Sequence, residues 1–157
     1  MEWAPKRRHR PGRIVLAAAI LLAGSIGLCQ QEKVDPALKQ FMAARNLYAN
    51  GLFADAAEEY AKFLKANPAH AKAASARFDM AMCLYRLDRR TETLAALTEV
   101  LKDKAFPHRE DALAVQADCL LAAGKHAEAL AAAELLGKEF PKGARAEGAA
   151  MVRLQAL

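Results

Sequence analysis

The 157-residue sequence predicts an all-α fold, a solenoid of about three helix pairs followed by a terminal helix. Three observations carry that expectation. One 11-residue pattern is written three times, as NLYANGLFADA at 46–56, CLYRLDRRTET at 83–93 and CLLAAGKHAEA at 119–129, at offsets of 37 and 36 residues. A period between about 20 and 50 residues marks a repeat architecture. Around each copy, apolar residues recur three and four apart, the spacing of one helix face. Gly or Asp then falls at the same place in every copy, where a first helix has to stop.

Composition agrees with helix. Ala, Leu, Lys, Arg and Glu dominate, and there are only six Phe, three Tyr and one Trp. The formal charge of +5 looks basic, but residues 1–29 hold five Lys and Arg against one Glu, and the rest holds 18 against 17. A body that balanced has no electrostatic footprint for a phosphate backbone, so nucleic acid is not an expected partner.

From the N-terminus, the basic stretch at residues 6–13 precedes an uncharged run at 14–28. Positive charge followed by a short apolar segment is the order of a secretory signal. The run is shorter than the roughly 20 residues a spanning helix needs, which favours a cleaved signal peptide at 1–29 over an uncleaved membrane anchor. Gly27 and Cys29, or Ser25 and Gly27, supply the small residues before a cut. Leu28 is too large for lipoprotein processing at Cys29, and Pro11-Gly12 breaks a twin-arginine reading of Arg7-Arg8. The expected location is exported, in the periplasm, with membrane attachment through the N-terminal segment as the alternative.

Residues 30–35 leave a short linker before the repeat domain at 36–157, with repeats at about 36–68, 70–106 and 108–141 and a terminal helix at 144–157. Asp35-Pro36 reads as an N-cap followed by proline at the first helical position. Leu38, Phe41, Ala44, Leu47 and Tyr48 make the stripe of the first helix; Phe53, Ala56, Ala57, Tyr60, Phe63 and Leu64 make that of the second. Gly51 and Gly124 sit where a left-handed residue ends a helix, and Asp88 takes that place in the middle copy. Asn67-Pro68 and Phe140-Pro141 close the second helices of the outer copies, because proline lacks the donor and restricts the residue before it.

These residues resemble the tetratricopeptide repeat. Small residues at its helix crossing are matched by Ala44 and Ala56, Ala81, and Ala117 and Ala129; the large packing residue by Tyr60 and Leu97; the closing proline by Pro68 and Pro141, shifted to Pro107 in the middle. The middle copy departs from the pattern, with Arg90 for an aromatic and Thr93 for the alanine. The resemblance implies a right-handed α-solenoid whose first helices line a concave face. The repeat length and linking segments are also similar to exported bacterial envelope proteins, the periplasmic partner of the Tol-Pal system and lipoproteins of outer-membrane assembly. The coiled-coil stalk of the former has no room between signal and repeats.

No chemistry of a catalytic kind is written into the chain. His9, His70, His108 and His126 have no Cys or second His at ligand spacing, so neither metal nor cofactor is expected. Glu58-Glu59 and Glu110-Asp111 read as solvated helix faces. Cys83 and Cys119 occupy equivalent places on stacked first helices, about 8–10 Å apart, where a disulfide needs Cα atoms within about 7 Å. Two buried thiols are the expectation.

The resemblance therefore implies binding rather than catalysis, with a protein or peptide partner on the concave face. The candidate contacts are Phe41, Arg45 and Tyr48 in the first copy, Phe78, Met82, Tyr85 and Arg86 in the second, and Asp118 in the third. Aromatic residues, Met and Arg are enriched among interface anchors, which puts Phe41, Tyr48, Phe78 and Tyr85 foremost. Chaperone-binding repeats clamp a terminal carboxylate with Lys and Asn; here Phe41, Arg45, Phe78 and Met82 stand in those places, which disfavours a clamp. The expected role is an envelope scaffold or assembly factor. The alternative is an auxiliary domain or fragment of a larger enzyme or secretion-system protein. Ala149, Ala150, Met151, Leu154 and Leu157 give the terminal helix an apolar stripe, from which it is expected to pack on the third pair and then meet a partner or a second copy of itself, unless the chain is a fragment of a longer array.

Overall fold

The computed structural model describes residues 35–156. The chain divides into Met1–Lys33, which lies outside the described residues together with the expected signal segment, and Val34–Leu157. Seven α-helices and no strand are present among the described residues. In order they are α1 (Pro36–Ala49), α2 (Phe53–Ala66), α3 (Ala73–Arg86), α4 (Arg90–Val100), α5 (Arg109–Ala122), α6 (His126–Glu139) and α7 (Ala146–Ala156).

Local sequence sets where these helices begin and end. Asp35 Oδ1 accepts from the Ala37 amide at 2.9 Å and Pro36 takes the first turn, a capped start for the helix that opens the described array. No side chain caps α2 to α6; instead α2, α4 and α6 carry Asp55, Glu92 and Glu128 in their first turns, favourable toward the positive end of the helix dipole. The three turns inside the pairs share one geometry. Gly51, Asp88 and Gly124 have φ of 76°, 59° and 71°. The amides that follow, of Leu52, Arg89 and Lys125, reach back to the carbonyls of Leu47, Leu84 and Leu120 at 2.9–3.0 Å. This is the Schellman arrangement, which satisfies carbonyls that the helix end leaves without partners.

Each pair buries its apolar stripe against itself and against the first helix of the next pair. Phe41, Ala44, Ala56, Tyr60 and Phe63 pack with Ala76 and Cys83 of α3; Phe78, Ala81, Leu97, Val100 and Phe106 pack with Ala112 of α5; Leu113, Ala117, Ala129, Ala133 and Leu136 pack with Ala149 of α7. The crossing residues Ala44, Ala56, Ala81, Ala117 and Ala129 are all fully buried, as close approach of two helices demands. At the middle crossing Thr93 is likewise 0% exposed, and its hydroxyl donates to the Arg89 carbonyl at 3.1 Å, so the polar atom enters the core with its bond made.

Arg109, 6% exposed, does similar service between pairs. Its guanidinium donates to the Leu101 carbonyl at the end of α4 at 2.8 Å and grips both carboxylate oxygens of Glu139 on α6, at 2.7 and 3.2 Å. Cys83 and Cys119 are free and buried; burial pushes their thiols up to about 12 and about 11, so neither is a nucleophile at neutral pH.

Candidate binding groove

Three first helices present matching stripes to one groove of about 430 Å³. On α3 the stripe is Met82, Tyr85 and Arg86; on α5 it is Ala114, Val115 and Asp118; on α7 it is Gly148, Met151, Val152 and Gln155. Each set follows the three-and-four spacing that puts side chains on one helix face. The floor is apolar and the charged groups stand around it.

The polar groups are organised by neighbours. The Tyr85 hydroxyl donates to Asp118 at 2.8 Å across the α3–α5 joint, and Arg90, held by Asp88 at 2.8 Å, comes within 3.4 Å of the same carboxylate. The bond to Asp118, with partial burial, raises the Tyr85 hydroxyl above the ordinary tyrosine range, so it stays a donor. Arg145, at the entrance to α7, is fixed twice: its amide donates to Glu110 at 2.7 Å and its side chain to Asp111 at 2.8 Å. Arg86 is exposed and makes no ion pair among the described residues.

Four of the eight residues expected at the partner surface, Met82, Tyr85, Arg86 and Asp118, line this groove together. Arg45 is exposed on α1, and Tyr48 lies half-buried with its ring edge-on to Phe53 at 5.3 Å; neither lines it. Phe41 and Phe78 are corrected. Phe41, 3% exposed, packs on Tyr60 and Phe63 at ring distances of 5.9 and 5.8 Å. Phe78, 7% exposed, lies against Phe106 and stacks nearly parallel on His108 at 5.3 Å. Both are core residues because a first helix is packed on two sides, and its groove stripe overlaps its packing stripe. The α7 wall goes beyond the sequence expectation: its spacing is legible, but as a terminal packing stripe rather than as the side of a groove.

A second groove, about 450 Å³, opens between α2 and α4 over Met80 and Leu84 of α3. Its walls are mostly alanine, Ala54, Ala57 and Ala61 facing Ala95 and Ala96, and its rim arginine, Arg89, is already paired with Glu92 at 2.6 Å. Nearby, the buried Tyr60 hydroxyl donates to Asp79 at 3.2 Å. Burial raises the Asp79 carboxyl, while Tyr60 and the cation of Arg45 pull it the other way. Among the described residues no cluster of three or more His, Cys, Asp or Glu could hold a metal ion, and no helix is long and apolar enough to cross a membrane.

Residues 111–143, which run from α5 to just beyond α6, match the family model of the tetratricopeptide repeat. No match was found among curated proteins. Solved structures share the arrangement at low identity. The TPR2B domain of yeast Sti1, solved as a complex with pHsp70, is 18% identical with a TM-score of 0.61 over 76% of this chain and 94% of that one. The TPR2AB domain of yeast Sti1, solved with pHSP90, is 19% identical with a TM-score of 0.62 over 78% of this chain and 48% of that one. The nearly identical TPR-like repeats of kinesin-light-chain type from Podosopora anserina give 19% and 0.59, over 87% and 69%. The helix pairs, their shared turn geometry and these neighbours together give the described chain an all-α fold like that of tetratricopeptide repeats, and residues 111–143, its third pair, match that repeat's family model.

Proposed function

We propose that the chain is an exported protein-protein interaction module, a cell-envelope scaffold or assembly factor without catalytic activity of its own, and that its partner enters the groove between α3, α5 and α7. The observation that carries the reading is the groove itself: an apolar floor of about 430 Å³ with a few fixed polar groups, the usual make-up of a recognition pocket. Two of the similar structures, both from yeast Sti1, are complexes with pHsp70 and pHSP90, which supports a peptide-binding use of the same fold. Export is proposed from the charge-then-apolar order of residues 1–29. Exposed Met151 and Leu154 on α7 support self-association as a second contact.

In-cell cross-linking through a photoreactive residue at Gln155, followed by identification of the attached chains, tests the groove. Partners are expected to be captured from that position and lost with Tyr85→Ala; capture indifferent to the groove would sink the reading. Cell fractionation with N-terminal sequencing tests export, which an intact Met1 terminus in the cytosol would reject. Light scattering across a concentration range tests self-association; a monomer throughout removes it.

A further inference from the structure

We propose that the segment this groove receives is an apolar stretch carrying an acidic side chain, and that the carboxylate pairs with Arg86. This rests on the groove reading above and names the chemistry of the partner.

The argument is one of charges left over. Four polar side chains line the groove: Arg86, Arg145, Asp118 and Gln155, besides the Tyr85 hydroxyl. Arg145 is held by Asp111, and Asp118 accepts from Tyr85 and stands beside Arg90. A basic residue on a partner would therefore meet an aspartate already served and two arginines, whereas an acidic residue meets one guanidinium with no ion pair among the described residues. A guanidinium fork matches a carboxylate in two parallel hydrogen bonds. Met82, Val115, Met151 and Val152 line the same groove as Arg86, so a segment whose acid reaches Arg86 covers that apolar lining best with apolar residues around the acid. Like-charge contact with Arg86 and Arg145 disfavours a basic residue at the same place. One unpaired arginine with apolar walls on either side suits a side-chain carboxylate within a segment.

Selection from two display libraries of random dodecapeptides, one fused at its C-terminus and one ending in a free carboxylate, on the immobilised full chain provides the test. Gly148→Trp serves as the groove block: the glycine lines the groove, and a Cβ built there meets nothing within 4 Å, so the helix is spared. The expected result is fused peptides with an acid among apolar residues, lost with Gly148→Trp. Arg86→Glu should weaken them roughly tenfold or more, the worth of a hydrogen-bonded charge, and reverse the preference toward Lys and Arg. Arg86→Lys should keep the acidic preference with weaker binding. Peptides that need the open groove but show no acid, keep their acid preference in Arg86→Glu, or come only from the free-carboxylate library overturn this inference and leave the groove reading standing. No selected peptide, or binding indifferent to Gly148→Trp, overturns both.

Discussion

The first helix pair and the middle one reach the same crossing by different chemistry. In α1–α2, two alanines let the helices touch and three aromatic rings, Phe41, Tyr60 and Phe63, fill the space beneath. In α3–α4, a threonine takes the place of one alanine, Leu97 replaces the large ring, and the second helix has 11 residues rather than 14. The middle pair keeps an apolar core, Phe78, Leu97, Val100 and Phe106, and adds polar groups that find partners: Thr93 on the Arg89 carbonyl, Arg90 on Asp88 and Asp118, and Arg109 closing the end of α4. Departure from a repeat pattern need not weaken the crossing where each introduced polar atom is satisfied.

The comparison breaks most sharply at the rings. Phe63→Ala, at a site with 0% exposure, should cost about 4 kcal/mol in urea unfolding. Leu97→Ala in the middle pair should cost about 3 kcal/mol, since a smaller side chain leaves a smaller cavity. A loss under about 1 kcal/mol at Phe63 would show that the first pair does not depend on its aromatic filling.

Arg109→Ala comes next, at about 2 to 3 kcal/mol, because it leaves the Leu101 carbonyl and Glu139 without their buried partner. Glu139 is held below the ordinary glutamate range by its bond to Arg109, so the stability it contributes is present above the unfolded glutamate pKa and lost as pH falls through the folded one. Thermal melts of Arg109→Ala should accordingly differ less from the parent at pH 3 than at pH 7. A constant difference would argue that Arg109 acts by packing alone.

At the turns the signs oppose. Gly51→Ala should lose about 1 kcal/mol, since φ of 76° strains any side chain although nothing lies within 4 Å of the new Cβ. Asp88→Gly should gain about 0.5 kcal/mol by relieving the φ of 59° at the matching place, the loss of an exposed pair with Arg90 being smaller. Equal signs for the two would mean the three turns are not equivalent.

The smallest effect lies at Asp79, where the first pair meets α3. Burial raises its folded pKa, so its favourable contribution is full below the unfolded aspartate pKa and fades as pH rises through the folded value. Asp79→Asn should gain on the parent between pH 3 and pH 7; a flat difference would mean that Tyr60 and Arg45 compensate the burial.

Much of the fold is legible in the chain itself. The 36- to 37-residue period, the three left-handed positions, the Asp35-Pro36 start and the alanines at the crossings all stand in the sequence. Half of the eight contacts expected from the sequence, Met82, Tyr85, Arg86 and Asp118, line the groove. Export, an expectation drawn from residues 1–29, lies outside the described residues. Phe41 and Phe78 are not legible as core, since periodicity marks a stripe without saying what covers it.

The sequence by itself determined the features made within a turn or two of chain: where helices start, where they stop, which residue must be left-handed, and where two helices can touch. Those are set by backbone sterics and capping, which act between residues a few places apart. Only the tertiary structure decided that Arg109 would reach Glu139, 30 residues on, that Tyr85 would reach Asp118, 33 residues on, and that α7 would wall the groove. Those contacts depend on how successive pairs stack, because burial of one pair's stripe is completed by the next pair's first helix. The stacking register sorts one stripe into buried Phe78 and groove-lining Met82, a distinction no local spacing encodes.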